Sequence, residues 1–130
     1  MSSFLESIAG VLETPSVRPD DKFREVEGWS SLMAFGLLVT MENEWSAPMT
    51  VDDLAKCETV RDLFCEAFAA FAAGVLGVSR ETARGASFGS IPEWDSVNHL
   101  RLVMEAEPRF GVAYPLEEIP GMRSAPDFLR

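Results

Sequence analysis

The sequence has little of what most site chemistries need. It holds two cysteines and one histidine in 130 residues. Cys57 and Cys65 form no Cys-x-x-Cys pair, and with His99 alone beside them there is no set of soft donors for a zinc site. No disulfide is expected either, since nothing else points to secretion. Basic residues are scarce: 11 Lys and Arg stand against 21 Asp and Glu, a formal charge of −10. Phosphate contacts need clustered Lys and Arg, so this chain makes a poor nucleic-acid binder. An acidic surface suits partners with basic patches, because long-range attraction raises encounter rates. Long apolar runs are missing too: the longest, Ala67 to Val78, is too short to span a bilayer. The opening "MSSFLESIAGVLETP" has no basic leader and carries Glu6 within its apolar pattern, unlike a signal peptide. A cytoplasmic protein with no membrane span and no nucleic-acid partner is expected.

What remains is ordinary globular composition, 47% hydrophobic and 25% charged. The length fits one average domain or two very small ones. Helical spacing dominates. Phe4, Leu5, Ile8, Val11 and Leu12 mark a first helix, closed off by "TPSVRPDD". A stronger one runs from Ser30, a credible N-cap, to Trp45, with Leu32, Phe35, Leu38, Val39 and Trp45 among its apolar positions. "TVDDLAKC" reads as a short helix capped by Thr50, with Asp52 and Asp53 near its positive end. A fourth begins near Thr59.

The second half repeats the first. Adding 65 to the residue number lays Phe23 on Phe88, Trp29 on Trp94, Ser31 on Ser96, Leu37 on Leu102, Glu42 on Glu107 and Asp62 on Asp127. Conservative pairs fill in the rest, such as Trp45 with Phe110 and Asp52 with Glu117. A fixed-period match of this kind signals duplication. The expected architecture is therefore all-α, two tandem four-helix units over residues 1–65 and 66–130. No Gly, Pro or polar linker separates them, and the pattern allows one continuous helix from about Glu58 to Val78. A rigid pair is expected rather than beads on a flexible string.

Each half carries Trp, a small polar residue, Ser and an aliphatic: "WSSL" and "WDSV". The serine falls in the first turn of the longest helix. Free backbone N–H groups and the positive dipole end favour an anion there. A phosphate ester on that hydroxyl would sit well. The structural alternative is that Ser30 and Asp95 are N-caps and Ser31 and Ser96 merely follow them. A cap alone, however, requires neither the Trp nor a second hydroxyl, and both recur in phase.

On these residues each half resembles an acyl carrier protein. "GSIPEWDSVNHLRLVMEAEPRFGVAYPLEEI" is similar to discrete bacterial carriers with a Trp-Asp-Ser-Leu motif, and "DDKFREVEGWSSLMAFGLLVTMENEW" resembles another branch. The resemblance implies a four-helix fold, no catalysis by the chain itself, and 4′-phosphopantetheine, supplied by coenzyme A, attached to Ser96 and Ser31. A phosphopantetheinyl transferase would load the arm. A ketosynthase, acyltransferase or acyl-activating ligase would then use the acyl or related intermediate held on it as a thioester. The serine-headed helix would present the docking face: Asp95, Val97, Glu105 and Glu107 in the second half, Leu32, Glu42 and Glu44 in the first. Two departures stand out. Ser30 replaces the motif aspartate in the first half, which removes a negative charge beside the attachment point. Val97 replaces the motif leucine in the second and keeps its apolar contact. The alternative function is a carrier-derived helical interaction module with one or both serines unmodified, the first half before the second. An unrelated all-α enzyme is disfavoured, since no nucleophile–base pair or phosphate loop is visible.

Remaining residues have plainer expectations. His99 should face solvent one turn into its helix. Trp29 and Trp94 should anchor their loops, and Trp45 should lie in the core. Cys57 and Cys65 fall on Met122 and Arg130, so neither is repeated. Met33, Met41, Met49, Met104 and Met122 should serve as adaptable packing.

Overall fold

Helix boundaries follow the capping residues. The computed structural model describes residues 3–130; Met1 and Ser2, part of the expected first unit, lie outside the described residues. Ser3 and Glu6 form a reciprocal capping box before α1 (Phe4–Val11). Thr50 with Asp53 does the same for α3 (Val51–Ala55), and Thr59 with Asp62 for α4 (Val60–Leu76). Single caps start the rest: Ser30 for α2 (Ser31–Trp45), Ser79 for α5 (Arg80–Ala83) and Asp95 for α6 (Ser96–Phe110). Among the described residues three short 3-10 helices accompany these, at Phe23–Glu25, Leu116–Gly121 and Ala125–Phe128. Among the described residues only isolated β-bridges accompany them. The fold is all-helical.

Helix α4 is the spine. It is one continuous helix across the expected joint, slightly shorter than the sequence allowed. Thr59 caps its start and Gly77, in the left-handed region at φ 71°, ends it. Its alanines and absence of proline keep the helix intact between those points. Positions 65 and 66 lie at mid-helix. Phe64 and Phe68 point into a core that runs without a break from Phe4 to Phe128. The ring of Phe68 lies 4.6 Å from that of Phe128, 6.1 Å from Phe64, 6.2 Å from Trp94 and 6.5 Å from Phe110. Phe64 in turn meets Phe4 at 5.3 Å.

Several structural features recur at an offset of 65 residues. Helices α2 and α6 start and end at matching positions, and both close on a left-handed residue, Ser46 (φ 52°) and Gly111 (φ 68°). The isolated bridges match as well, Lys22 with Thr59 and Ser87 with Ser124. Asp62 accepts the N–H groups of Glu58 and Thr59, and Asp127 those of Arg123 and Ser124. Some matching positions touch each other. Trp45 stacks on Phe110 at 5.6 Å, and Arg109 donates to the Glu44 carbonyl at 3.0 Å.

The halves also differ. The counterparts of α3 and of the start of α4 are 3-10 helices, not α-helices. Pro120 stands where Ala55 does, and Pro126 where Arg61 does, and proline has no N–H for an α-helical bond. The expected four α-helices are therefore incomplete in the second half. Helix α5 has no counterpart in the first half, where "PSVR" occupies its place. It clamps the second half onto the first. Arg84 and Arg80 both bond Glu66 of α4, and Arg80 also donates to the Pro48 carbonyl at 2.6 Å.

The α4 cap carries a pH prediction. Burial opposes ionisation of Asp62, but N–H groups of Thr59 and Glu58 and the Thr59 hydroxyl outweigh it and hold the carboxyl below its ordinary 3.8. A depressed folded value adds stability above 3.8 that is lost as the pH falls further. Asp62→Asn should be less stable than the parent at neutral pH and lose less on acidification. Identical pH profiles of urea unfolding for the two proteins would contradict this.

Candidate functional site

The two serines occupy the same place on two helices. Ser31 is the first residue of α2 and Ser96 the first of α6, and both are exposed. Capping falls to their predecessors. The Ser30 hydroxyl accepts the Met33 N–H at 3.4 Å, and the Asp95 carboxylate accepts the Asn98 N–H at 2.9 Å. Ser31 and Ser96 are thus not needed to close the helix ends. Their hydroxyls stand beside free N–H groups at the positive dipole end, where a phosphate is favoured.

A tryptophan anchors the approach to each serine, as expected. Trp29 packs on Phe23 at 5.7 Å and Trp94 is 1% exposed. The sequence expectation for His99 is wrong: it is 4% exposed, not solvent-facing. Trp94 Nε1–H donates to His99 Nδ1 at 3.0 Å, so the ring proton sits on Nε2, which bonds the Ile119 carbonyl at 3.0 Å. This pins the serine-bearing loop, the start of α6 and the Leu116–Gly121 turn together. Its first-half counterpart, Ala34, gave no hint of that task.

Of the residues expected to dock partners, Leu32 is 80% and Val97 70% exposed, and Glu42 and Asp95 are exposed too. The other carboxylates have internal partners. Glu44 accepts the Ser7 hydroxyl, whose oxygen in turn accepts Trp45 Nε1–H. Glu105 lies 3.7 Å from Arg101. Glu107 is half-buried and accepts the Tyr114 N–H at 2.8 Å. A larger surface was missed. Leu32, Phe35, Val39 and Val51 are exposed, and so are Val97, Leu100, Met104 and Leu116. Adding 65 maps the first four onto the second four. Leu32, Phe35 and Val39 thus lie on the outer face of α2, and Met104 is outside the core. The available signal was that α2 has more apolar positions than one buried stripe can hold.

Other groups are quiet. Both cysteines are free, and burial pushes each thiol up to about 11, which leaves little thiolate at neutral pH. Among the described residues no group of His, Cys, Asp and Glu is placed to hold a metal ion. No helix among them is long and apolar enough to cross a membrane.

The fold is all-helical, and an exposed serine heads each of the two 15-residue helices, α2 and α6. Residues 2–64 match the family model described as the phosphopantetheine attachment site. That family carries covalently attached 4′-phosphopantetheine, is generally non-catalytic and serves biosynthetic enzymes. The match falls on the half in which Ser30 replaces the aspartate. No curated protein and no solved structure gives a match.

Proposed function

We propose that this chain is a tandem carrier, residues 1–65 and 66–130, whose units share α4 and hold acyl or related intermediates as thioesters. Ser31 and Ser96 are the attachment points, loaded from coenzyme A by a phosphopantetheinyl transferase. The observation that carries this reading is the pairing itself. Two exposed serines head two helices of equal length at an offset of 65, each relieved of capping by its neighbour. The fold's departures lie outside the serine-headed helices: α5 before α6, and the 3-10 helices after it. Ketosynthase, acyltransferase or ligase partners would dock on the paired apolar stripes with Asp95 or Glu42 beside them. Electrostatics would set encounter rate and choice there.

Loading the purified chain with coenzyme A and a broad-specificity transferase, then weighing it intact, tests the proposal. Two additions are expected. One addition leaves a single carrier beside an unmodified interaction module, and none ends the reading. Leu32→Glu and Val97→Glu should each slow loading of their own unit about tenfold, since a buried anchor contact is worth roughly 1.4 kcal/mol or more. Unchanged rates would remove the stripes from transferase docking.

A further inference from the structure

The helix pairs α1/α2 and α4/α6 correspond, yet one seam is closed and the other open. In the first half Gly36 of α2 comes so near α1 that a methyl group there would lie 3.2 Å from Val11 Cγ1. In the second half Arg101 takes that position, and α4 and α6 border a groove of about 570 Å³. Its floor is Phe71, Gly74 and Val75 of α4, and its wall Arg101, Glu105 and Arg109 of α6. Most changes between halves run one way, the exception being Thr40, which gives way to Glu105. Glu6 gives way to Phe71 on the floor, Gly36 to Arg101 and Glu44 to Arg109 on the wall. Apolar surface and positive charge arrive together.

The charge is poorly compensated. Arg109 is half-buried, with its guanidinium 5.3 Å from the centre of the Trp45 ring and one N–H given to the Glu44 carbonyl. Burial lowers its pKa, as it must for a cation drawn from water. Ion pairs among the described residues include Arg101 with Glu105 but none to Arg109. Two guanidiniums thus face one carboxylate in a chain of net charge −10. The volume lies within the roughly 300–1,000 Å³ of small-molecule sites.

We infer that the α4/α6 groove binds an anionic amphiphile, with its alkyl chain along Phe71 and Val75 and its carboxylate on Arg109. The site is non-covalent and does not depend on either serine being modified. The shape is open, so the apolar floor supplies burial and the guanidinium selects the head group.

Titration of the unmodified full chain with dodecanoate, below its aggregation concentration, tests this by amide NMR and Trp45 emission. Saturable shifts confined to α4 and α6 are expected from dodecanoate and not from dodecyltrimethylammonium or inorganic phosphate. Gly74→Leu should fill the floor, because a side chain there meets nothing within 4 Å. It should weaken binding by at least about tenfold with helicity kept, while Gly10→Leu in the first half changes nothing. Arg109→Gln should weaken dodecanoate by about tenfold, the value of one charge-assisted bond. The inference fails if binding is not saturable, if the cationic detergent binds the groove equally, or if Gly74→Leu has no effect. It also fails if a Leu- and Glu-rich helical peptide shifts these amides and dodecanoate does not.

Discussion

Ser96→Ala is expected to remove one phosphopantetheine addition while leaving helicity and stability nearly untouched. The reason lies one residue earlier. Asp95 accepts the Asn98 N–H and closes the helix start, so the Ser96 hydroxyl holds nothing that folding needs. An exposed change away from caps and core stays within about 0.5 kcal/mol. Asp95→Ala, by contrast, should cost about 1 kcal/mol through the lost cap. Ser31→Ala should remove the other addition with the same small effect, because Ser30 carries the cap there. The double variant should accept none. Intact mass and thermal melting together decide the matter. Loss of fold in Ser96→Ala would make the serine structural, and two additions retained in either single variant would place attachment elsewhere.

Phe68→Ala should cost about 3–5 kcal/mol, the usual penalty for emptying a buried aromatic site. Phe68 is 1% exposed and sits at mid-α4 with Trp94, Phe110 and Phe128 around it. Its neighbour Phe64 reaches Phe4 and Phe110. Damage there should therefore propagate to both halves and lower one shared transition. Urea unfolding followed by tryptophan emission and by far-ultraviolet dichroism should remain coincident in parent and variant. Two separated transitions, with only one moved by the substitution, would show that the halves unfold independently and that the shared core does not couple them.

Local signals were largely legible. Ser30 and Thr50 were readable as caps because an N-cap needs only a short polar side chain next to a helical pattern; both cap a helix in the fold, as does Thr59, near which the fourth helix was expected to begin. The unbroken stretch through Ala67 to Leu76 announced a continuous α4 because no residue within it breaks a helix. His99 was not legible. Its burial depends on Trp94 arriving from one side and Ile119 from the other, five and twenty residues away. Glu107 misled in the same way. It looked like a docking charge until Tyr114 came round to donate to it. Leu32, Phe35 and Val39 satisfied a helical pattern, but periodicity alone does not say which of two apolar stripes is buried.

By itself the amino-acid order determined the 65-residue spacing of the matching residues, the helix starts and the positions of the two serines. Each of these depends on neighbours a few residues away: a cap on its third amide, a turn on its proline, a period on spacing. Only the tertiary structure decided which apolar faces stay open, that the two halves share one core through α4, and that α4 and α6 border a groove while Gly36 lets α1 and α2 come close. Those outcomes depend on the separation between helices, which is set by side-chain volumes from segments distant in the chain and packed together.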